Sequence, residues 1–166
     1  PATASSHVKR CLEEENGLND EDQQEFRSGV GSLLYLLKHS RPDLSNSVRE
    51  LSKVMDRANK AHEKMLHRVI RFVEQTKNRC LVLAPMKKNL TWDLKGYCDS
   101  DFAGNWDPEE APDDADTARS RSAFVIMYAG CPILWGSKLQ TLIALSSTEA
   151  EYYCLSTALR ETIPVM

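Results

Sequence analysis

The sequence predicts an α+β chain: a small helical bundle, then antiparallel strands and one helix. Three observations carry this. Apolar residues recur with a period near 3.6 from Phe26 to about Asn78. After Asn78 the period changes to two. A Ser/Thr cluster at 146–148 then opens a second helical pattern that runs toward Pro164.

Residues 1–24, "PATASSHVKRCLEEENGLNDEDQQ", are polar and aperiodic and read as a flexible lead-in. A helix is expected over 25–39, with Val30, Leu33, Leu34 and Leu37 on one face. Ser28, Gly29, Gly31 and Ser32 are small enough to let a neighbour pack close. "SRPD" interrupts, and Pro42 suits the first turn of a second helix, 42–56. Its stripe is Leu44, Val48, Leu51 and Met55. A third helix over 60–77 turns Met65, Leu66, Val69, Phe72 and Val73 inward, and Lys64, His67, Arg68 and Arg71 outward. None of these stripes can stay in water, so the three helices should pack together.

"CLVLAP" (80–85) reads as a short strand and "NLTWDLKGYCDSD" (89–101) as a longer one. "SAFVIMY" and "ILWGSKLQ" form a hairpin around "AGCP". The last helix should lie across one face of that sheet. The expected organisation is a lead-in at 1–24, a helical segment at 25–78 and an α+β segment at 79–166.

Composition narrows the function. Hydrophobic residues are 42% of the 166, enough for a core. The net charge of −3 carries no overall nucleic-acid signal. Five cysteines without a C-x-x-C pair suggest neither a disulfide framework nor a zinc knuckle, which fits a reducing intracellular compartment. No apolar run approaches the ~20 residues of a membrane span. The chain opens on Pro1 with no signal-peptide pattern and reads as a piece of something longer.

Two places could carry chemistry. On "GYCDSD", Tyr97, Asp99 and Asp101 share one face and Cys98 and Ser100 the other. The two carboxylates are either a solvated strand end or the holders of a cation. In "SSTEAEY", Ser146 with Glu149, or Thr148 with Glu151, fits a helix capping box. Packed beside the strand, the same glutamate would bring a second carboxylate to one sheet edge. Such oxygen ligands suit Mg²⁺, and a two-metal site suits phosphodiester cleavage.

Residues 60–95 hold a basic excess, with Lys64, Arg68 and Arg71 on one helix face. That face could track phosphates or be an ordinary solvated surface. Arg119, Arg121, Lys138 and Gln140 are further phosphate-contact candidates. The acidic run from Asp107 to Asp116 reads as a loop, and its spacing is not an EF-hand. The histidines read as surface or packing residues. Trp92, Trp106 and Trp135 read as core or loop anchors rather than base-stacking platforms.

"FRSGVGSLLYLLKHSRPDLSNSVRELSKVM", "GYCDSDFAGN" and "TARSRSAFVIMYAGCPILWGSKLQTLIALSSTEAEYYCLSTALRE" together resemble the Pol polyprotein of copia-type LTR retrotransposons. The similarity runs from residue 25 to the end and follows that family's order: the helical thumb- or connection-like segment after the reverse-transcriptase palm, then the start of ribonuclease H. The resemblance implies a partial ribonuclease H-like fold, truncated within 79–166. It implies Asp99 and Glu149 as catalytic, metal-binding carboxylates, with Asp101 and Glu151 as family-typical neighbours. It implies Mg²⁺, two ions in the complete site, or Mn²⁺. The partners implied are an RNA–DNA hybrid or template–primer duplex and the remaining Pol segments, with no membrane. The place implied is the cytoplasm, in a virus-like particle, with a nuclear phase allowed. "DPEEAPDDAD" is longer than the usual family loop and reads as an insertion.

The family site has four acidic positions, and the other two are expected beyond Met166. The polymerase's double aspartate is absent, and Asp113-Asp114 lies in the wrong setting to replace it. Two functions follow. One is part of a ribonuclease H, inactive alone. The other is a non-catalytic nucleic-acid-binding module, or its limiting case, a degenerate remnant. An integrase-like nuclease fits less well, because there the glutamate comes late in the fold.

Overall fold

The computed structural model describes residues 17–79, 81–84, 93–109 and 111–166. Most of the expected lead-in, the ends of "CLVLAP", the start of the long strand and Trp92 lie outside the described residues. The chain divides into two units, Pro1–Leu81 and Val82–Met166.

In the first unit, helix α1 spans Asp20–His39 and begins inside the stretch read as lead-in. That reading is corrected at residues 20–24. Asn19 caps the helix, its side chain accepting the Asp22 N–H at 2.7 Å. Asp20, Glu21 and Asp22 then sit at the positive end of the helix dipole. This end also staples the bundle. The Leu18 N–H donates to the Ala58 carbonyl at 2.9 Å. The Gln23 amide donates to the Met55 carbonyl and accepts the Ala58 N–H, both at 2.8 Å.

A single 3₁₀ turn, Pro42–Leu44, leads into α2, Ser45–Ser52. The expected helix ran to 56, four residues too far. The Met55 and Asp56 carbonyls accept side-chain donors from Arg27 instead. Helix α3 spans Lys60–Gln75. The Asn59 side chain accepts the His62 N–H at 3.0 Å and His62 Nδ1 accepts the Asn59 N–H at 3.2 Å, a reciprocal cap.

The core joins Phe26, Val30, Leu33 and Leu37 to Leu44, Val48, Leu51 and Val54, and to Leu66 and Val69. Met65 was expected inward but is 36% exposed. Lys64, His67, Arg68 and Arg71 are exposed. A Cβ on Gly29 would sit 3.0 Å from Leu66 Cδ2, so α1 and α3 meet there because a side chain is missing. Gly31 has nothing within 4 Å of such an atom. Arg41, 8% exposed, ties the start of α2 to the end of α3. Its guanidinium donates to both Asp43 carboxylate oxygens, at 3.0 and 2.8 Å, and to Thr76 Oγ1 at 2.8 Å. It also lies 5.6 Å from the Phe72 ring centroid. The hydrogen bond from Arg41 is the main reason the Asp43 carboxyl is held below its ordinary value.

The second unit is a three-stranded antiparallel sheet in the order β1-β2-β3. The strands are β1, Leu94–Asp101; β2, Arg121–Tyr128; and β3, Cys131–Leu139. Residues 81–84 form no strand, contrary to the expectation for "CLVLAP". Val82 and Leu83 are 69% and 65% exposed, and among the described residues the ladders are β1 with β2 and β2 with β3. A short apolar run without a neighbouring ladder makes no strand. The β2–β3 turn is only Ala129-Gly130, with φ of 48° and 79°. Cys131 and Pro132, read as turn, therefore belong to β3. Helix α4 spans Ser147–Thr162 and buries Ala150, Cys154 and Ala158. Among the described residues, no helix is long and apolar enough to cross a membrane.

Gly29→Val should lower stability by roughly 1–3 kcal/mol by overpacking against Leu66. Gly31→Ala should raise it by up to about 1 kcal/mol through helix propensity alone. Urea unfolding of the two variants, with opposite signs, checks both. Asp43→Asn should cost below about 1 kcal/mol at neutral pH, since the Asp43 side chain is 47% exposed. A carboxyl depressed on folding stabilises above its unfolded value of about 3.9, and that gain is lost as pH falls through the folded value. The gap between wild type and Asp43→Asn should therefore close below about pH 4, as read by thermal melts across pH.

Candidate functional site

The candidate residues of the second unit sit where β1 ends and α4 begins. Along β1, Tyr97, Asp99 and Asp101 are exposed, while Cys98 and Ser100 are partly buried. Asp99 pairs with Ala123 across the ladder, and Asp101 with Arg121. Helix α4 is joined to this strand at two points. The Ser100 N–H donates to Glu151 Oε1 at 3.3 Å. The Cys154 thiol donates to the Asp99 carbonyl at 3.0 Å. Asp99, through its backbone carbonyl, and the next residue Ser100 are thus tied to α4 at Cys154 and Glu151, beyond Glu149 on the helix.

Glu149 lies in the first turn of α4. Ser146 caps the helix, its Oγ accepting the Glu149 N–H at 3.1 Å. The Glu149 carboxylate reaches back one residue further than in the usual box and accepts the Leu145 N–H at 2.7 Å. Of the two capping pairs in the sequence, Ser146 with Glu149 is the one used. Glu149 and Glu151 each have one carboxylate oxygen engaged by a backbone N–H.

Asp101 turns onto its own loop. Its carboxylate lies against the Gly104 α-carbon, in the space a Cβ there would fill. Among the described residues, no three His, Cys, Asp or Glu side chains come together as a metal-holding group. The carboxylates have the hard-oxygen chemistry that suits Mg²⁺.

Burial first, and the neighbouring Cys154 second, push the Cys98 thiol above its ordinary value. Gln140, expected at a phosphate, is 3% exposed and structural. Its amide donates to Ser122 Oγ and to the Ala150 carbonyl, both at 2.9 Å, and so locks α4 to the sheet. Gln140 stands between Leu139 and Thr141, where nothing in the sequence signals burial.

The basic candidates fall in both units. Lys64, Arg68 and Arg71 belong to α3 of the first. Arg121 and Lys138 lie on β2 and β3, with Lys138 exposed. Arg119 is held by Asp116 at 2.7 Å. The described part of the acidic run is a loop of turns, as expected, and it ends in a short 3₁₀ turn. Asp114 caps a 3₁₀ turn, Ala115–Ala118, and Asp107 Oδ1 accepts the Glu109 N–H at 2.9 Å. Trp106, read as an anchor, is 55% exposed.

No family model matches the chain, and no solved structure matches it. Known proteins do. The chain is 33% identical over 138 residues to the "Retrovirus-related Pol polyprotein from transposon TNT 1-94" of Nicotiana tabacum, covering 83% of this chain and 9% of that one. It is 37% identical over 131 residues to the polyprotein "from transposon RE1" of Arabidopsis thaliana, covering 79% and 8%. It is 35% identical over 138 residues to the "Secreted RxLR effector protein 161" of Plasmopara viticola, covering 83% and 89%. The chain therefore spans less than a tenth of the Pol polyproteins it matches, but most of the effector. By these matches the chain corresponds to a segment of the retrovirus-related Pol polyproteins of transposons.

Proposed function

We propose that this segment contributes the first strand and first helix of a ribonuclease H-like nuclease within a transposon Pol polyprotein. In this reading Asp99 and Glu149 are two of its metal-binding carboxylates, with Asp101 beside them. The substrate is the RNA strand of an RNA–DNA hybrid, cut with two Mg²⁺ ions, or Mn²⁺, inside the cell. The observation that carries the reading is the β1–α4 junction, where Ser100 is bonded to Glu151 one residue beyond Asp99 and two beyond Glu149.

The chain's own residues supply position rather than a finished site. Cys154 and Glu151 hold α4 against β1, and Gln140 ties its first turns to Ser122 on β2, which steadies the backbone at Asp99 and near Glu149. A metal-dependent nuclease needs more carboxylates than these, and in this reading other Pol segments supply them. Lys64, Arg68 and Arg71, with Arg121 and Lys138, are proposed to meet the phosphates of the hybrid or template–primer duplex. Arg119 is a weaker candidate because Asp116 already occupies it.

A second reading is a binding module without catalysis. The exposed basic row of α3 favours it.

A labelled RNA–DNA hybrid with Mg²⁺ or Mn²⁺ separates the readings. The 166-residue chain should leave the hybrid intact. A longer protein that continues into the downstream Pol sequence should cut it. There Asp99→Asn and Glu149→Gln should each lower the rate by more than about a hundredfold. Glu149→Gln keeps an oxygen for the Leu145 N–H, so its loss of rate should come without loss of fold. Cutting by the longer protein that survives Asp99→Asn would sink the nuclease reading. Hybrid binding without cutting in either protein would support the binding module.

A further inference from the structure

Two thiols that the nuclease reading leaves unused meet where α4 packs on β1. Along the strand Tyr97 and Asp99 are exposed, while Cys98 and Ser100 are partly buried, so this second pair turns toward the helix. The helix runs along the strand in the opposite direction. Glu151 bonds to the Ser100 N–H, and further along Cys154 bonds to the Asp99 carbonyl. About two turns later, Thr162 Oγ1 lies 3.9 Å from where a Cβ on Gly96 would sit. Cys98 stands between Ser100 and Gly96 on the strand, as Cys154 stands between Glu151 and Thr162 on the helix. The Cys154 thiol also reaches the Ala123 carbonyl at 3.4 Å, so it lies over the Asp99–Ala123 pair, one residue from Cys98. Among side chains, Cys154 acts most strongly on the Cys98 thiol. Both cysteines are free.

Access divides the labour between them. Cys98 keeps some exposed surface, whereas Cys154 is 0% exposed. A small oxidant therefore meets Cys98 first. We propose that Cys98 and Cys154 are a redox pair, closing to a disulfide between β1 and α4 when a small-molecule disulfide such as oxidised glutathione accumulates. The Cys98 sulfur bonds to one glutathione sulfur, the oxidant's S–S bond breaks, and the first glutathione leaves with the Cys98 proton. Cys154 then attacks the Cys98 sulfur from inside the protein, and the second glutathione leaves with the Cys154 proton. Two protein thiols are oxidised and one oxidant disulfide is reduced to two thiols. In a reducing compartment the pair rests open, and bridges formed there are transient. Closure removes the S–H that the Asp99 and Ala123 carbonyls accept. It exchanges two weak bonds at the Asp99 backbone for a covalent tie one residue away. The proposal rests on the packing of α4 on β1 and not on the nuclease reading.

The test uses the full chain with Cys11→Ser, Cys80→Ser and Cys131→Ser, so that only the pair remains. Oxidised glutathione under native conditions should remove the mass of two hydrogens. Peptide mapping should join the peptides of Cys98 and Cys154, and dithiothreitol should reverse both changes. The bridged form should melt roughly 10 °C higher, because the unfolded chain is then closed from residue 98 to residue 154. Cys154→Ser should stop at the mixed disulfide, with one glutathione held on Cys98. This variant keeps a hydroxyl donor for the Asp99 carbonyl, and thermal melts check that it folds. If the serine variants do not fold, mapping of the unsubstituted chain, with all five cysteines, reads the same bridge. Glutathione held on Cys98 beside an intact Cys154 would overturn the proposal, since the second thiol would be out of reach. So would a bridge between the two that forms only in urea. A bridged form that melts below the reduced chain would overturn it too, because the pair would then not be placed for closure. No readout here involves cleavage of a hybrid, so failure is distinct from failure of the nuclease reading.

Discussion

The second unit depends on how small α4 is where it meets the sheet. Ala150, Cys154 and Ala158 lie four residues apart and are almost wholly buried. A row this thin lets the helix approach the strands closely enough for side chain-to-backbone bonds to form. The Cys154 thiol then reaches the Asp99 carbonyl, and the Gln140 amide reaches the carbonyl of Ala150. A leucine in place of any of the three would push the helix outward, and both bonds would lengthen together. The contacts that position the proposed catalytic residues are thus by-products of a packing choice.

The same closeness gives one carboxylate two possible uses. Glu149 caps its own helix through the Leu145 N–H. A carboxylate has about four acceptor sites, so one backbone hydrogen bond does not exhaust it. Structural and catalytic uses of this residue are compatible, which is why the capping pattern could not decide between them.

Much of this was readable in the sequence. The inward stripes of the bundle, the alternation along β1 and the Ser146 start of α4 follow from period and capping chemistry, which are local. What was missed was tertiary. The polarity of residues 20–24 resembled disorder, although Asn19 and three acidic residues spell a helix start. "CLVLAP" had the apolar character of a short strand, but its described residues, 81–84, join no ladder. Gln140 looked like a surface amide because its two partners come from distant stretches of chain, Ser122 and Ala150. Trp106 looked like an anchor because composition ranks tryptophan as buried, and only the fold puts its ring outside. The proposed metal centre was legible as a pair of motifs, whereas the arrangement of its donors depends on three-dimensional placement.

The contact between Gly29 and Leu66 has an evolutionary side. Residue 29 can gain a side chain readily only after residue 66 has become smaller, whereas the reverse order passes through a strained intermediate. The two positions are thus linked by the order in which substitutions can be accepted. Lineages that diverge at this crossing should carry compensated pairs, and exchanging a single member between them should fail where exchanging both succeeds.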